Sequence, residues 1–279
     1  MTKKVMTKKQ HYYPRCLLKH FADVHGKVNV YIRQANKVSK INYEKLCASN
    51  FSYESDDVVD NILENKLGVY EAKMGSIIDY ILKNITSPDF TVTKEQQKFL
   101  YQYMWLQYIR TDAGRINFMN MFANTFSHKP RALPIEITEI KDNSEKIKKF
   151  NKLFKQDRVL ENYLKNFEKT ETMNFHIAIS KENLLTSDNP VIGTDEWKRI
   201  ILPISPYLCI EFIDKSIDKT RTMLIILTSE NIKYLNEATI NTANYYVISN
   251  EPFTLPQHFY IYNRFKNKNW TFRNPHFNI

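Results

Sequence analysis

The stretch from Phe99 to Ile109 is apolar on nearly every side when it is drawn as a helix. A helix of this kind has no face that prefers water, so the rest of the chain must wrap around it. Arg110 follows at once, and a buried guanidinium is costly unless a carboxylate or a ligand anion meets it. We therefore expect the segment from Thr93 to Ser127 to be the centre of the fold and Arg110 to mark a site.

The rest of the composition indicates a globular protein. A length of 279 residues and a hydrophobic content of 43% are sufficient for a substantial core. No apolar run reaches the roughly 18 residues of a membrane span, and the basic start of the chain lacks the apolar segment of a secretory signal. Cys16, Cys47 and Cys209 are widely spaced in apolar settings, which predicts buried free thiols. We expect a cytoplasmic protein with no membrane partner.

The charge of the chain bears on its partners. A net charge of +10 favours an acidic partner, with nucleic acid first among the candidates. The same lysine-rich usage would follow from an AT-rich genome whatever the function, so a partner protein or a second copy of the chain stays open. With only 5 glycines the chain contains neither GxxxxGK[ST] nor GxGxxG, which argues against a phosphate-cradling loop.

Helical spacing dominates the chain from about residue 55 to about residue 170. Residues 55–57 form an N-cap cluster for a long helix that reaches Leu82. Thr93 and Gln96 predict a capping box at the start of the central helix, and Gly114 predicts a break or bend in it. Residues 140–170 predict one lysine-rich amphipathic helix.

Past residue 172 the pattern changes to alternation typical of strands. We therefore expect an α+β fold, in which a helical N-terminal half with a long buried central helix packs against a mixed or antiparallel sheet in the C-terminal half. The predicted domains are a basic flexible tail at residues 1–10 and a single compact domain at 11–279. Strands are expected at residues 28–32, 175–179, 200–202, 208–213, 223–227 and 245–248, with a helix at 229–246.

Glu71 is a second unusual charge. It shares one helix face with Leu67, Gly75 and Ile78, so its carboxylate faces apolar neighbours. Its natural partner is Arg110, and two interpretations of such a pair are open. The pair is either a salt bridge that locks two long helices, or it holds a carboxylate for metal binding or proton transfer.

His11 and Asp188 are weaker candidates for catalysis. His11 stands between a basic segment and two tyrosines, where a histidine is either a structural hydrogen-bonding group or a catalytic one. Asp188 precedes Asn189 and Pro190, a sequence that suits a turn at a strand end but also suits presentation at a pocket. The chain has no HExxH, CxxC, HxH or GxSxG motif.

Four segments taken in order resemble one known family. The chain is similar to domain-of-unknown-function family 4238, whose members open with an HYVPRFYLKNFA-type sequence. The similarity covers about residues 9–249, and its departures are Tyr13 in place of the usual Val and Cys16 in place of an aromatic residue. The segments are KQHYYPRCLLKHFA at 9–22, ExxLxxxE at 64–71, LQYIRT at 106–111, and LTSDNPV at 185–191 with LPISP at 202–206.

The resemblance implies a candidate site but no activity, since the family has no established biochemical role. The positions that its motifs emphasise coincide with His11, Glu71, Arg110 and Asp188. The resemblance therefore implies that these side chains form one site.

The first functional hypothesis is a metal-dependent nuclease or phosphoryl-transfer hydrolase acting on nucleic acid. Glu71 and Asp188 would hold Mg²⁺ or Mn²⁺ through oxygen ligands, and His11 would act as general base or third ligand. Arg110 with Arg15 would stabilise the charge that develops on phosphorus.

Three residues are predicted to contact the substrate of such an enzyme, namely Arg15, Tyr12 and Asn189. The basic surface would supply affinity for the nucleic-acid backbone without sequence preference. A bacterial toxin or phage-defence effector would fit this chemistry.

The alternative is a non-catalytic module that binds nucleic acid or protein. The pair of Glu71 and Arg110 would then be structural, and Tyr12, Tyr13 and Tyr31 would form stacking platforms beside basic residues. A small-molecule hydrolase that uses Asp188 and His11 is a third hypothesis.

Overall fold

The computed structural model describes residues 7–55, 58–123, 135–168 and 170–267. A first group of strands precedes a block of helices, and the remaining strands follow that block together with two further helices. The helices are α1 (Arg15–Leu18), α2 (Ile62–Asn84), α3 (Lys94–Ile109), α4 (Asp112–Ala123), α5 (Ile137–Asp142), α6 (Ser144–Lys155), α7 (Val159–Lys165), α8 (Ser229–Thr242) and α9 (Leu255–Lys266).

The strands lie on both sides of the helical block. Four of them precede α2 and the others follow α7. They are β1 (Lys9–His11), β2 (Lys27–Ile32), β3 (Lys37–Asn42), β4 (Ala48–Asn50), β5 (Met173–Ile179), β6 (Thr186–Ser187), β7 (Ile192–Thr194), β8 (Arg199–Ser205), β9 (Leu208–Asp214), β10 (Leu224–Ile226) and β11 (Tyr246–Ser249).

These strands form a mixed sheet, an antiparallel sheet and a two-stranded ribbon. The mixed sheet has the order β10-β5-β9-β8-β7, in which only β10 and β5 run parallel. The antiparallel sheet has the order β3-β2-β11-β6, and β1 pairs with β4. The expected α+β fold with a mixed or antiparallel sheet is therefore confirmed. Because β2 pairs with β11, the early strands β2 and β3 belong to the same sheet as β6 and β11 from the C-terminal half.

Helix α3 is enclosed as its composition predicts. No residue from Phe99 to Arg110 is exposed, and the largest apolar cluster packs around this segment. The predicted capping box is present, since the N–H of Gln96 donates to Thr93 Oγ1 at 3.2 Å and the N–H of Thr93 donates to Gln96 Oε1 at 2.8 Å. The central position of α3 is confirmed, while the end of the predicted segment, past Ala123, lies outside the described residues.

The predicted start of the second helix is wrong. Ser55 pairs with Val58 in an isolated bridge, and α2 begins only at Ile62. The N–H of Ile62 donates to Asp60 Oδ1 at 2.9 Å, so a later aspartate satisfies the helix start. Asp56 and Asp57 of the predicted cap lie outside the described residues.

Two other predicted helices have different bounds. The helix expected at residues 140–170 is divided into α5, α6 and α7, with breaks at Asn143 and at Arg158, whose φ is +57°. A left-handed backbone conformation cannot continue a right-handed helix. The helix expected to reach Tyr246 ends at Thr242.

The two ends of the chain also differ from the predictions. The predicted tail overlaps β1, because Lys9 and Gln10 pair with β4 and the Gln10 side chain is fully buried. Residues 1–6 lie outside the described part. Strand β3 and helix α9 were not predicted, although Thr254 and Gln257 form a capping box at the start of α9. Within the described ranges, no helix combines the length and apolarity needed to cross a membrane.

Gly114 is required where α4 approaches the end of α3. A Cβ atom at this position would lie 1.8 Å from the carbonyl oxygen of Tyr108, whereas a Cβ at Gly68 in α2 would meet nothing within 4 Å. We expect Gly114→Ala to lower the free energy of unfolding by about 2 kcal/mol or more, because backbone must move to admit the methyl group. Gly68→Ala should raise it by roughly 0.5–1 kcal/mol through helix propensity. Urea unfolding of both variants checks this, and equal effects would contradict the account.

Candidate functional site

Arg110 lies inside the protein and is held by three groups. Its side chain is 2% exposed. Its Nε donates to the hydroxyl of Tyr53 at 3.0 Å, and its Nη2 donates to Glu71 Oε1 and to the backbone carbonyl of His11, both at 2.6 Å. Burial lowers the pKa of Arg110, but Tyr53 and Glu71 raise it well above its ordinary value. The predicted pairing of Arg110 with Glu71 is therefore present, and the guanidinium stays charged.

These contacts join three segments that are distant in sequence. Tyr53 lies in the loop after β4, His11 is the last residue of β1, and Glu71 lies in the middle of α2. The hydroxyl of Tyr53 donates to the same His11 carbonyl at 3.0 Å, which closes the network. A second buried arginine, Arg115 in α4, lies 5.2 Å from the Tyr53 ring centre, and Arg110 lies 5.6 Å from it. The Tyr53 ring is thus fixed between two cations.

Two carboxylates lie along the same face of α2. Glu71 is ion-paired with Arg110 and 27% exposed, so it reaches the surface. Glu64, two turns earlier, has no hydrogen-bond partner for its enclosed Oε2 among the described residues. Burial raises the pKa of Glu64 to about 7; Arg110 opposes the rise, and Glu71 and Glu54 add to it. Glu64 therefore holds its proton to a higher pH than an ordinary glutamate does.

The ring of His11 faces Arg15 rather than Arg110. Arg15 Nε donates to His11 Nε2 at 3.2 Å, and the same nitrogen lies 3.1 Å from the Glu44 carbonyl. Burial lowers the pKa of His11, and Arg15 and Lys9 lower it further against the opposing effects of the Glu44 carbonyl and Glu71. The imidazole is consequently neutral near pH 7.

The surface around His11 is basic. Arg15, Lys9 and Lys45 are exposed, and Lys9 Nζ donates to the Lys45 carbonyl at 3.3 Å. The charge of Glu71 lies close enough to His11 to oppose the lowering of the His11 pKa. An anionic group of a ligand could bind to the cations of this surface. It would then lie next to the neutral imidazole of His11 and the carboxylate of Glu71.

A small apolar cleft also lies against Arg110. Its other walls are apolar, and Arg110 Nε and Nη2 are already bonded to protein groups, whereas Arg110 Nη1 is buried without a hydrogen-bond partner among the described residues. A polyanionic substrate therefore suits the basic surface better than this cleft. The apolar lining residues are Leu63, Leu67, Leu106, Ile109, Phe150, Phe154 and Leu160.

Asp188 lies in the bend directly after β6. It is 2% exposed, and its carboxylate accepts hydrogen bonds from the backbone N–H groups of Asn244, Tyr245 and Tyr246 at 2.9–3.2 Å. Burial raises the pKa of Asp188 to about 7 against the opposing effect of these bonds. These bonds tie Asp188 to the junction between α8 and β11, and none of its described hydrogen bonds involves Arg110.

Two predicted substrate contacts are also placed in the interior or in a turn. Tyr12 is 6% exposed, and its carbonyl accepts a hydrogen bond from Gln107 at 2.9 Å. Tyr13 and Tyr31 are buried as well, so the predicted stacking platforms are wrong. Asn189 donates to the Thr242 carbonyl at 2.8 Å and supports the turn beside Asp188. Of the predicted substrate contacts, only Arg15 is exposed.

The two predicted metal ligands are both bonded to protein groups. Glu71 accepts a hydrogen bond from Arg110, and both oxygens of Asp188 accept backbone N–H groups. In the part of the chain that the structure describes, no three His, Cys, Asp or Glu side chains are grouped so that they could hold a metal ion. Binding of Mg²⁺ or Mn²⁺ stays a prediction without a fitting ligand set.

Sequence reasoning missed Tyr53 and Glu64 as members of this site. Tyr53 has no neighbouring motif, because its role comes from a contact 57 positions away. Glu64 offered a signal, since it opens the ExxLxxxE segment that ends at Glu71. Helical spacing places residues seven apart on one face, so the two carboxylates could have been paired.

The fold and this interior arginine network define an α+β protein with a charged site formed by β1, α2 and α3. Comparison with protein families gives a match over residues 9–252 to DUF4238, described as a protein of unknown function. The chain belongs to this family. A search of curated proteins found no match, and a search of solved structures found none.

Glu64 makes stability depend on pH. Its folded pKa of about 7 lies above the ordinary value of 4.5, so the folded state retains a proton that the unfolded state has lost between these values. The group's contribution to stability is therefore lost as pH rises from about 4.5 to about 7. Since the side chain is partly exposed, we expect a loss of roughly 1–2 kcal/mol.

Glu64→Gln should remove this loss. The difference in free energy of unfolding between variant and wild type should grow between about pH 5 and about pH 8, as measured by urea unfolding at each pH. A difference that does not change with pH would show that Glu64 has an ordinary pKa.

Proposed function

We propose that the protein is a hydrolase that cleaves phosphodiester bonds in nucleic acid at the surface formed by His11, Arg15 and Glu71. The observation that carries this proposal is the contact of a neutral imidazole with an exposed guanidinium, 3.2 Å from Nε to Nε2, beside an ion-paired carboxylate. The net charge of +10 supports a polyanionic substrate.

His11 acts as general base in this proposal. The contact from Arg15 Nε to His11 Nε2 is a hydrogen bond in the tautomer that carries its proton on Nδ1 and a lone pair on Nε2, whereas the Glu44 carbonyl bonds the same nitrogen in the other tautomer. The proposal uses the tautomer with the lone pair on Nε2. When Arg15 turns towards a phosphate, that lone pair becomes available to a water molecule. Glu71 accepts the second hydrogen of the same water and orients it, and His11 takes the proton as the water oxygen attacks phosphorus.

Arg15 binds the phosphate and stabilises the charge that grows on its oxygens. Its exposed side chain allows it to reach a ligand, whereas Arg110 is enclosed. Arg110 is therefore a positioning residue, which holds Glu71 and the backbone of His11 in register. Lys9 and Lys45 contribute backbone affinity that weakens with salt. Acting on cellular nucleic acid, such an enzyme would be a toxin or a phage-defence effector.

Labelled single- and double-stranded RNA and DNA test the proposal directly. We expect the wild type to cleave at least one of them, in reactions with EDTA, Mg²⁺ or Mn²⁺. His11→Ala should lower kcat by roughly 100-fold or more, the usual contribution of a general base. Arg15→Ala should raise KM and also lower kcat, because it removes a phosphate contact that strengthens in the transition state.

His25→Ala is the matched control, since His25 is exposed in the turn before β2. It should cleave at the wild-type rate. The absence of cleavage of every substrate in every reaction, or equal rates for the His11 and His25 variants, would refute the proposed activity.

A second candidate function is a non-catalytic nucleic-acid-binding module. It is favoured by the enclosure of Arg110 and Asp188, which are 1% and 2% exposed and bonded within the protein. In that case the same nucleic acids would be bound and not cleaved, with an affinity that falls steeply as salt rises. Gel-shift measurements at several salt concentrations separate the two functions.

A further inference from the structure

Strand β10 lies at one end of the mixed sheet and pairs there with β5. The Met223 carbonyl accepts a hydrogen bond from β5, and the N–H of Leu227 donates one to β5, both at 2.8 Å. Because successive residues of a strand direct their backbone groups to opposite sides, the N–H and C=O groups of Leu224 and Ile226 point away from β5. Strand β10 therefore presents two residues with a donor and an acceptor each at the edge of the sheet.

The side chains at this edge are apolar and exposed. Leu224 is 38% exposed and Ile226 is 67% exposed, and no charged residue occurs from residue 223 to residue 227. The edge strand β3 differs, since it carries the exposed Lys37 and Lys40. Charged side chains on an edge strand discourage pairing with a strand of another molecule. The edge of β10 lacks this protection and is open to a further strand.

A second copy of β10 fits this edge in one register. Two identical strands related by a two-fold axis run antiparallel. An axis at Ile225 places Leu224 of one copy opposite Ile226 of the other, and each of these two pairs exchanges two backbone hydrogen bonds. The exposed side chains of both residues then cover each other across the strands. An axis at Leu224 or at Ile226 would leave the other of these two residues opposite a residue outside β10.

The charges that flank β10 are complementary in the same register. Arg221 precedes the strand and Glu230 follows it, and both are exposed. Because the axis reverses the chain direction, it places Arg221 of each copy opposite Ser229 of the other, next to Glu230. Opposite charges across an interface favour the orientation that brings them together.

We propose that β10 is the interface of a homodimer, in which two copies pair antiparallel about Ile225 and join their five-stranded sheets into one. This interface does not depend on the hydrolysis proposed above. Its paired segment is short, so we expect a weak dimer in exchange with the monomer.

Sedimentation velocity of the full chain at concentrations up to about 100 μM tests the dimer, since a short interface forms only at high concentration. We expect a monomer–dimer equilibrium for the wild type. Ile226→Lys should raise Kd by at least about 100-fold, because the axis places two added charges on the paired edges. Ile226 is largely exposed, so the variant should keep its fold, which circular dichroism checks.

Val38→Lys is the matched control, because Val38 is 42% exposed on the other edge strand, β3. It should dimerise like the wild type. A wild type that stays monomeric at every concentration, or a dimer that Ile226→Lys leaves intact, would overturn the proposal.

Charge reversal tests the register of the two strands. Arg221→Glu and Glu230→Arg should each raise Kd by about tenfold, because like charges replace opposite charges at two symmetry-related places. The double variant should regain the wild-type Kd, since it restores opposite charges. A double variant that binds as weakly as the single variants would overturn the axis at Ile225.

Amide hydrogen exchange followed by NMR identifies the paired edge itself. The N–H groups of Leu224 and Ile226 should exchange more slowly as the protein concentration rises, because only the dimer bonds them. The N–H of Ile225 faces β5 and should be protected at every concentration. Exchange at Leu224 and Ile226 that does not change with concentration would contradict pairing through β10.

Discussion

A guanidinium group enclosed in the protein determines how the N-terminal strand, the loop after β4 and the two long helices meet. Arg110 extends from the end of α3 and bonds to a carbonyl, a hydroxyl and a carboxylate from three other segments. Removing one partner of such a group costs about 3–5 kcal/mol, because a buried charge is left uncompensated. Because the folded state avoids this cost only when His11 and Glu71 both contact Arg110, folding itself sets the relative placement of these two residues, before any substrate binds.

The position of Arg110 follows from the helix that carries it. Helix α3 is surrounded by apolar residues, and its last turn delivers the arginine to the place where β1 and α2 pass each other. Arg115, after the tight approach at Gly114, bonds to the Ser52 carbonyl at 2.6 Å and so fixes the loop that carries Tyr53. The polar network is therefore supported from two sides, which fixes the position of the half-buried Glu71 at its edge.

Local patterns in the sequence were sufficient for the features that depend on neighbours along the chain. The enclosed α3, its capping box, and the pairing of Glu71 with Arg110 all follow from helical spacing and from the cost of burying a charge. The main strands of the C-terminal part follow from their alternation.

Long-range contacts account for what the sequence did not reveal. The turn that contains Asp188 suits an aspartate presented at a pocket. The hydrogen-bond donors to Asp188 are instead backbone N–H groups at least 56 positions away, and no local pattern indicates them. The same bonds explain why α8 ends before Asn244. His11 contributes its carbonyl to Arg110 and its ring to a separate contact with Arg15, a distinction that depends on strand direction and not on residue type.

The account requires that Glu71, anchored by Arg110, lies beside the imidazole of His11. The most direct test is the pKa of His11, measured by NMR in the wild type, in Glu71→Gln and in the surface variant Glu145→Gln. Because the charge of Glu71 raises the pKa of His11, we expect a value below 6.5 in the wild type, a lower value in Glu71→Gln, and the wild-type value in Glu145→Gln. An identical His11 titration in all three proteins would show that the anchored carboxylate does not reach the histidine, and would contradict the account.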